Sequence, residues 1–371
     1  MRNQPGKAAC YTVFIILCVI YGAFLALFVI DRIGRFGVLQ SIVSLLILLA
    51  SLFLSVILHE FGHLVCGLIT GYKFLSFRIF SLLLYKEEGK LKFKVSPSSG
   101  GVLGQCLMGY KKEYSSDMPY FLYNAGGVIM NLVIFFLATI LSFFVHTQMG
   151  LITLTIIGFL NLMFALTNAV PYIAPFNDGR NIFLLKDEEC RKALFDQLKM
   201  NEEFAKGRSY ADIEFLDYKY TNADTITLTV YIASMYKNFI TGRFEEANGI
   251  KINLYNNLVY FGKAFESALL MEIAYCDIVF NANFTAVELY SRIPPQQAKA
   301  YILSKDASAA FYGLMYLVFF KKDFSYARQR IPYVKMLAEK KVYFAEREKL
   351  YKDIAFIESY IDSYESPFPF N

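Results

Sequence analysis

The segment His59-Glu60-Phe61-Gly62-His63 holds two imidazoles and a carboxylate at a spacing suited to metal chemistry. Side chains four residues apart share one face of an α-helix, so both imidazoles can reach a single zinc ion. The glutamate beside the first histidine then lies next to a metal-bound water and can take its proton. Glu60 is also the only charged residue between Arg35 and Lys73. An ionisable side chain is costly within a bilayer and marks a functional site there. The motif therefore reads as an intramembrane metal site.

Zinc in a hydrolase takes three protein ligands and a water. The chain has one further histidine, His146, at the tip of a later helical hairpin and on the opposite side of the membrane by the orientation given below. That leaves a carboxylate as third donor, and Asp178 is the strongest candidate among the few in the first 180 residues. It closes the stretch from Asn168 to Gly179, where Pro171 and Pro175 break the helix and free backbone to turn back. An Asp-Gly pair is equally a common turn unit, and the residues alone leave that alternative open. Asn131 ends the stretch Asn124-Ala125-Gly126-Gly127-Val128-Ile129-Met130-Asn131. Its amide could bond a substrate carbonyl or a developing oxyanion, or it could bond a neighbouring helix across the small residues.

Four apolar runs are expected to position these groups: Ala8 to Ile30, part of Val38 to Tyr72, Pro119 to His146, and Gly150 to about Pro171. Each is long enough to cross about 30 Å of hydrocarbon. The first follows Arg2 and Lys7 and competes with a signal peptide, but it exceeds a usual apolar signal core and is read as a retained span. Eight basic residues between Lys73 and Lys112, and none at the hairpin tip near His146, place the N-terminus, that loop and everything after Asp178 in the cytoplasm. Arg32 and Arg35 are an exception. Within the loop, Lys73 to Tyr85, the turn Glu87-Glu88-Gly89-Lys90 and the alternating Leu91 to Val95 predict a β-hairpin, whose edge could receive an extended peptide.

Composition divides the chain. It is 56% hydrophobic with a mean hydropathy of +0.38, too apolar for a soluble protein of 371 residues. The first 180 residues hold 13 basic and seven acidic side chains, and the rest hold 24 and 25. A membrane domain over residues 1–185 and a cytoplasmic domain over 186–371 follow. The six cysteines lack C-x-x-C spacing, which argues against a disulfide framework or a thiolate zinc site. Dispersed basic residues and the lack of a binding motif argue against nucleic acid as a partner. In the second half Phe244, Phe284 and Phe324 recur every 40 residues, preceded by Tyr236, Cys276 and Tyr316. This predicts helix–turn–helix repeats similar to tetratricopeptide units, whose concave face would take a peptide or protein partner, or else an irregular helical cap. Pro294-Pro295 marks a break between helices, and Ser366 to Phe370 a tail.

Three pieces together resemble the site-2 protease family of intramembrane zinc metalloproteases: His59, Glu60 and His63; Gly127 with Asn131; and Asn168 with Pro171 and Asp178-Gly179. They occur in the family's order over roughly residues 39–185. Val128 stands where the family often has proline, Asn177 where it has a hydrophobic residue, and Asp178 lies about two residues further from Pro171. The resemblance implies that His59, His63 and Asp178 hold Zn2+, that Glu60 is the general base, and that Asn131 and Asn168 bind substrate. The expectation is a mainly α, polytopic membrane protein with about four transmembrane helices, a small β-hairpin and a soluble repeat-like domain. It would sit in a bacterial cytoplasmic membrane, among lipid, and cleave a transmembrane helix or a signal-peptide remnant. The alternative is a non-catalytic adaptor of the same fold that binds membrane helices. A transporter is the least favoured class, because the membrane half shows no internal repeat.

Overall fold

The computed structural model describes residues 37–95, 103–171, 177–220, 224–258, 263–280 and 286–365, with eight helical positions between Thr12 and Ala23. Most of the expected first span, Ala8 to Ile30, lies outside the described residues, as do the Ser96 to Gly101 stretch, Phe284 and the Ser366 to Phe370 tail. The chain divides into two compact units. One comprises Arg2–Leu83 and Leu103–Arg191, the other Leu84–Val102 and Lys192–Asn371.

The first unit is built on three helices, α1 (Val38–Ile69), α2 (Phe121–Ser142) and α3 (Gln148–Ala169), which pack against one another in all three pairs. All three are long and apolar enough to cross a membrane, and they are the three that qualify among the described residues. Their polarity is inverted relative to a water-soluble bundle. On α1, Ser51, Ser55, His59 and His63 follow one another every four residues and are buried, whereas Leu39, Ile42, Leu46, Leu49 and Phe53 are exposed. A four-residue step keeps side chains on one helical face, so α1 turns a polar stripe to its neighbours. An apolar exterior over polar groups suits a medium that needs no hydrogen bonds, and together with the length of the three helices it suggests a membrane protein.

Gly71, with φ of 91°, takes the left-handed conformation that ends α1 and leads into the sheet. The strands β1 (Tyr72–Ile79), β2 (Leu82–Glu87), β3 (Lys90–Val95) and β4 (Gly104–Tyr110) form an antiparallel sheet in the order β3-β2-β1-β4. The expected hairpin is thus part of a four-stranded sheet. Glu88 and Gly89 both have positive φ, as the tight turn between β2 and β3 requires. β4 pairs with β1 from Tyr72↔Tyr110 to Ile79↔Gly104, with a register shift between Phe74 and Ser76. A short helix, α4 (Asp178–Leu184), packs on α2 and α3.

The second unit continues with α5 (Glu188–Ala205), a 3-10 turn (Tyr210–Asp212), α6 (Thr225–Ile240), α7 (Phe244–Asn256), α8 (Lys263–Phe280), α9 (Ala286–Ser291), α10 (Pro295–Ile302), α11 (Ala307–Met315), a π-helical segment (Tyr316–Lys321), α12 (Phe324–Ala338) and α13 (Phe344–Glu365). Phe244 and Phe324 each open a helix, and Pro295 opens α10. From α6 onward the described helical segments span six to 22 residues, and no uniform repeat length is seen among the described residues. α8 is the central helix: Leu269, Leu270, Met271, Ile273, Ala274, Tyr275 and Cys276 are all at most 1% exposed. A buried ion pair, Lys251 Nζ to Asp277 Oδ1 at 2.7 Å, ties α7 to α8.

Candidate metal centre

His59 and His63 project from α1 toward α2, and Asp178 reaches them from the start of α4. Three atoms converge. His59 Nε2 lies 3.3 Å from His63 Nε2 and 3.3 Å from Asp178 Oδ2, and His63 Nε2 lies 3.4 Å from the same oxygen.

The far side of each ring decides what these atoms can do. His63 Nδ1 lies 2.8 Å from the Tyr123 carbonyl oxygen. A carbonyl only accepts, so this nitrogen carries the proton and Nε2 keeps a lone pair. His59 Nδ1 lies 2.6 Å from Asn131 Oδ1. The Asn131 amide nitrogen is committed elsewhere, donating to Asn161 Oδ1 at 2.7 Å and pointing at the Ser55 carbonyl at 3.4 Å. His59 Nδ1 is therefore the donor, and its Nε2 too presents a lone pair. Asn161 is held in turn, donating to Ser55 Oγ at 3.0 Å and to the Ile157 carbonyl at 2.9 Å, and Ser55 donates to the Ser51 carbonyl. A directed chain of donors thus runs from His59 through two amides to a hydroxyl.

The third corner is an oxygen with nothing to bond. Asp178 Oδ2 is buried and has no hydrogen-bond partner. Two neutral imidazole lone pairs and a carboxylate oxygen drawn within 3.4 Å repel one another unless a cation lies among them. A proton would satisfy one edge of the triangle, whereas a metal ion satisfies all three. The dimensions fit: donors about 2.0–2.1 Å from a tetrahedral ion stand roughly 3.3–3.4 Å apart. His59, His63 and Asp178 could thus hold a metal ion, and they are the one such group among the described residues.

Space at the triangle is kept by glycine. A Cβ on Gly127 would land on His59 Nε2 and Cε1 and 2.6 Å from His63 Nε2. One residue earlier, Gly126 meets Gly62 at the crossing of α1 and α2, where a Cβ on either would strike the other's backbone. The glycine pair thus divides its work between helix approach and clearance over the donors.

Glu60 is 8% exposed and interacts electrostatically with His59, His63 and Asp178. The backbone of Cys106 in β4 hydrogen-bonds to it, and a Cβ on Gly104 would come within 2.6 Å of its Cγ. The sheet therefore reaches the site through its β4 edge, and the absence of a side chain at Gly104 leaves room for the carboxylate. β4 is further bound to the bundle through Tyr123, whose hydroxyl donates to the Cys106 carbonyl at 3.0 Å.

Asp178 owes its position to its neighbours. Asn177 caps α4, its side chain accepting from the Arg180 N–H, while its amide donates to the Thr167 and Val170 carbonyls at 2.9 Å each. Those carbonyls belong to the end of α3, where the helix leaves them unpaired. Gly179 lies so close to α3 that a Cβ would strike the Ala169 carbonyl. The Asp-Gly pair is both a helix start and a means of carrying Asp178 to the histidines.

Of the residues singled out in the sequence, His59, Glu60, His63 and Asp178 come together. Asn131 is wholly buried behind His59 with its amide engaged. Asn168 bonds the Phe164 carbonyl one turn back on α3. Residues 172–176, including Pro175, lie outside the described residues. Asn161, Ser55 and Asn177 were not singled out as site residues. An amide within the apolar run Phe159-Leu160-Asn161-Leu162 was as visible as Asn131, and an asparagine just before a helix is a cap signal. No protein-family model, curated protein or solved structure matches the chain.

Proposed function

We propose that this protein is an intramembrane zinc metalloprotease that hydrolyses a peptide bond within or near a transmembrane helix or signal-peptide remnant. The observation that carries the reading is the triangle of lone-pair donors at 3.3–3.4 Å with an unpartnered Asp178 oxygen and a glycine over it, on helices apolar enough to span a membrane. His59 and His63 would hold the ion through Nε2 and Asp178 through Oδ2. Zinc bound there would supply a water whose pKa falls to about 7 and a Lewis acid for the scissile carbonyl.

The chain's own groups do the rest. Glu60 takes a proton from the attacking water as its oxygen bonds to the carbonyl carbon, then delivers that proton to the amide nitrogen as the C–N bond breaks. Asn131, backed by Asn161, holds His59 in one tautomer and one orientation. Its role is therefore positioning, since both N–H donors of its amide are engaged and none is left for a substrate carbonyl or oxyanion. Exposed lipid-facing side chains on α1 and α2 keep bulk water from the site while a substrate helix unwinds beside it. The second unit, a helical body, is read as the part that engages a peptide or protein partner.

The test is co-reconstitution of the chain in lipid vesicles with a panel of single-span anchors and signal-peptide remnants. The parent is expected to release shortened fragments, and Glu60→Gln to cut at least about 100-fold more slowly. Cleavage by Glu60→Gln at the parental rate contradicts the assignment.

A further inference from the structure

Glu272 is the outlier of the second unit. α8 is buried at every position from Leu269 to Asp277 except this one. A carboxylate within the most buried helix of a domain needs a partner or a solvent-filled space. Glu272 faces a cavity of about 280 Å³. Its walls come from α5, α6, α8, α11, α13, the 3-10 turn and the segment at Lys341, so it is formed by elements distant in sequence.

The cavity is aromatic. Tyr210, Tyr236 and Tyr312 line it, the first two meeting edge to face at 5.2 Å, and the Tyr312 side chain hydrogen-bonds to Glu272. The other charges around it are already matched. Lys349 Nζ lies 2.7 Å from Asp353 Oδ2 and 4.6 Å from the ring centres of both Tyr236 and Tyr275. The second oxygen of Asp353 accepts from the Tyr275 hydroxyl at 2.8 Å. At the rim Lys341 faces Glu346 at 3.6 Å. Glu272 has no ion-pair partner among the described residues, whereas Lys341 and Lys349 each stand within salt-bridge distance of another carboxylate. Burial pushes the Glu272 carboxyl upward, opposed by the Tyr312 hydrogen bond and by Lys349.

A carboxylate facing a partly open cavity under tyrosine rings is complementary to a cation with an apolar stem. We propose that this cavity binds a primary alkylammonium group, with Glu272 as its counter-ion and the rings of Tyr210, Tyr236 and Tyr312 against its stem. The volume falls just short of pockets for drug-sized ligands and leaves room for a small amine. A free alkylamine or a lysine side chain of a polypeptide carries the same chemistry.

Isothermal titration of the detergent-solubilised full chain with n-butylammonium, Nα-acetyl-lysine amide and neutral n-butanol tests this. At least one ammonium is expected to bind saturably and roughly 10-fold or more tighter than the alcohol, and roughly 10-fold or more weaker to Glu272→Gln. Tighter binding of the lysine amide assigns the site to a polypeptide, and tighter binding of butylammonium assigns it to a free amine. The alcohol comparison needs no variant, so it stands even where Glu272→Gln melts early. No binding of either ammonium, or equal binding of the alcohol, overturns the proposal.

Discussion

Gly127 is where a single methyl group separates a usable site from a blocked one. A Cβ there overlaps the donor nitrogens of both histidines, so Gly127→Ala is expected to abolish metal retention while leaving the helices folded. Metal content beside a circular-dichroism spectrum of the same sample checks both halves of that statement. The two asparagines behave differently, because they orient a ligand without being one. Removing an outer partner of a metal-bound histidine costs about 10–100-fold in metal affinity. Asn131→Ala is expected to show that loss through direct release of His59 Nδ1, and Asn161→Ala a smaller loss through Asn131. Competition with a chelating dye measures both, and unchanged affinity in Asn131→Ala contradicts the positioning role.

At the scale of elements, the site depends on how α3 ends and α4 begins. Asn177 caps one helix and satisfies two terminal carbonyls of the other, so Asn177→Ala is expected to cost about 1 kcal/mol or more of stability and to loosen Asp178. The expected signature is weaker metal binding with both histidines intact, read by the same dye competition. Much of this arrangement is legible in the chain. Four-residue spacing and the apolar runs around Glu60 give the helix, its environment and the two imidazoles, and the amide and carboxylate follow from their rarity in such runs. The sheet is only half legible. β4 pairs with β1 across some thirty residues, as in Phe77↔Cys106, and local alternation carries no trace of so distant a partner. The Tyr123 carbonyl that fixes His63 is illegible in principle, because every residue offers a backbone acceptor.

At the scale of the whole molecule, the two units sort polar and apolar side chains differently. Residues of the first unit bury polar groups beneath an apolar exterior, whereas the second unit buries leucine, tyrosine and phenylalanine and keeps few charges inside. Among those few, the ion pair of Lys251 with Asp277 is expected to reveal itself in stability: Lys251→Met takes the ammonium from a buried carboxylate and should cost about 3–5 kcal/mol. Urea unfolding of the full chain in detergent, followed by a probe in the second unit, reports that loss. Replacing both partners by apolar residues should restore most of it. The proposed metal centre of the first unit matters most for function. Its most direct test is the metal content of detergent-purified protein, determined for the parent, Glu60→Gln, His59→Ala and Asp178→Ala. One zinc per chain is expected in the parent and in Glu60→Gln, and none in the other two. Zinc retained by Asp178→Ala, or no metal in the parent, contradicts it.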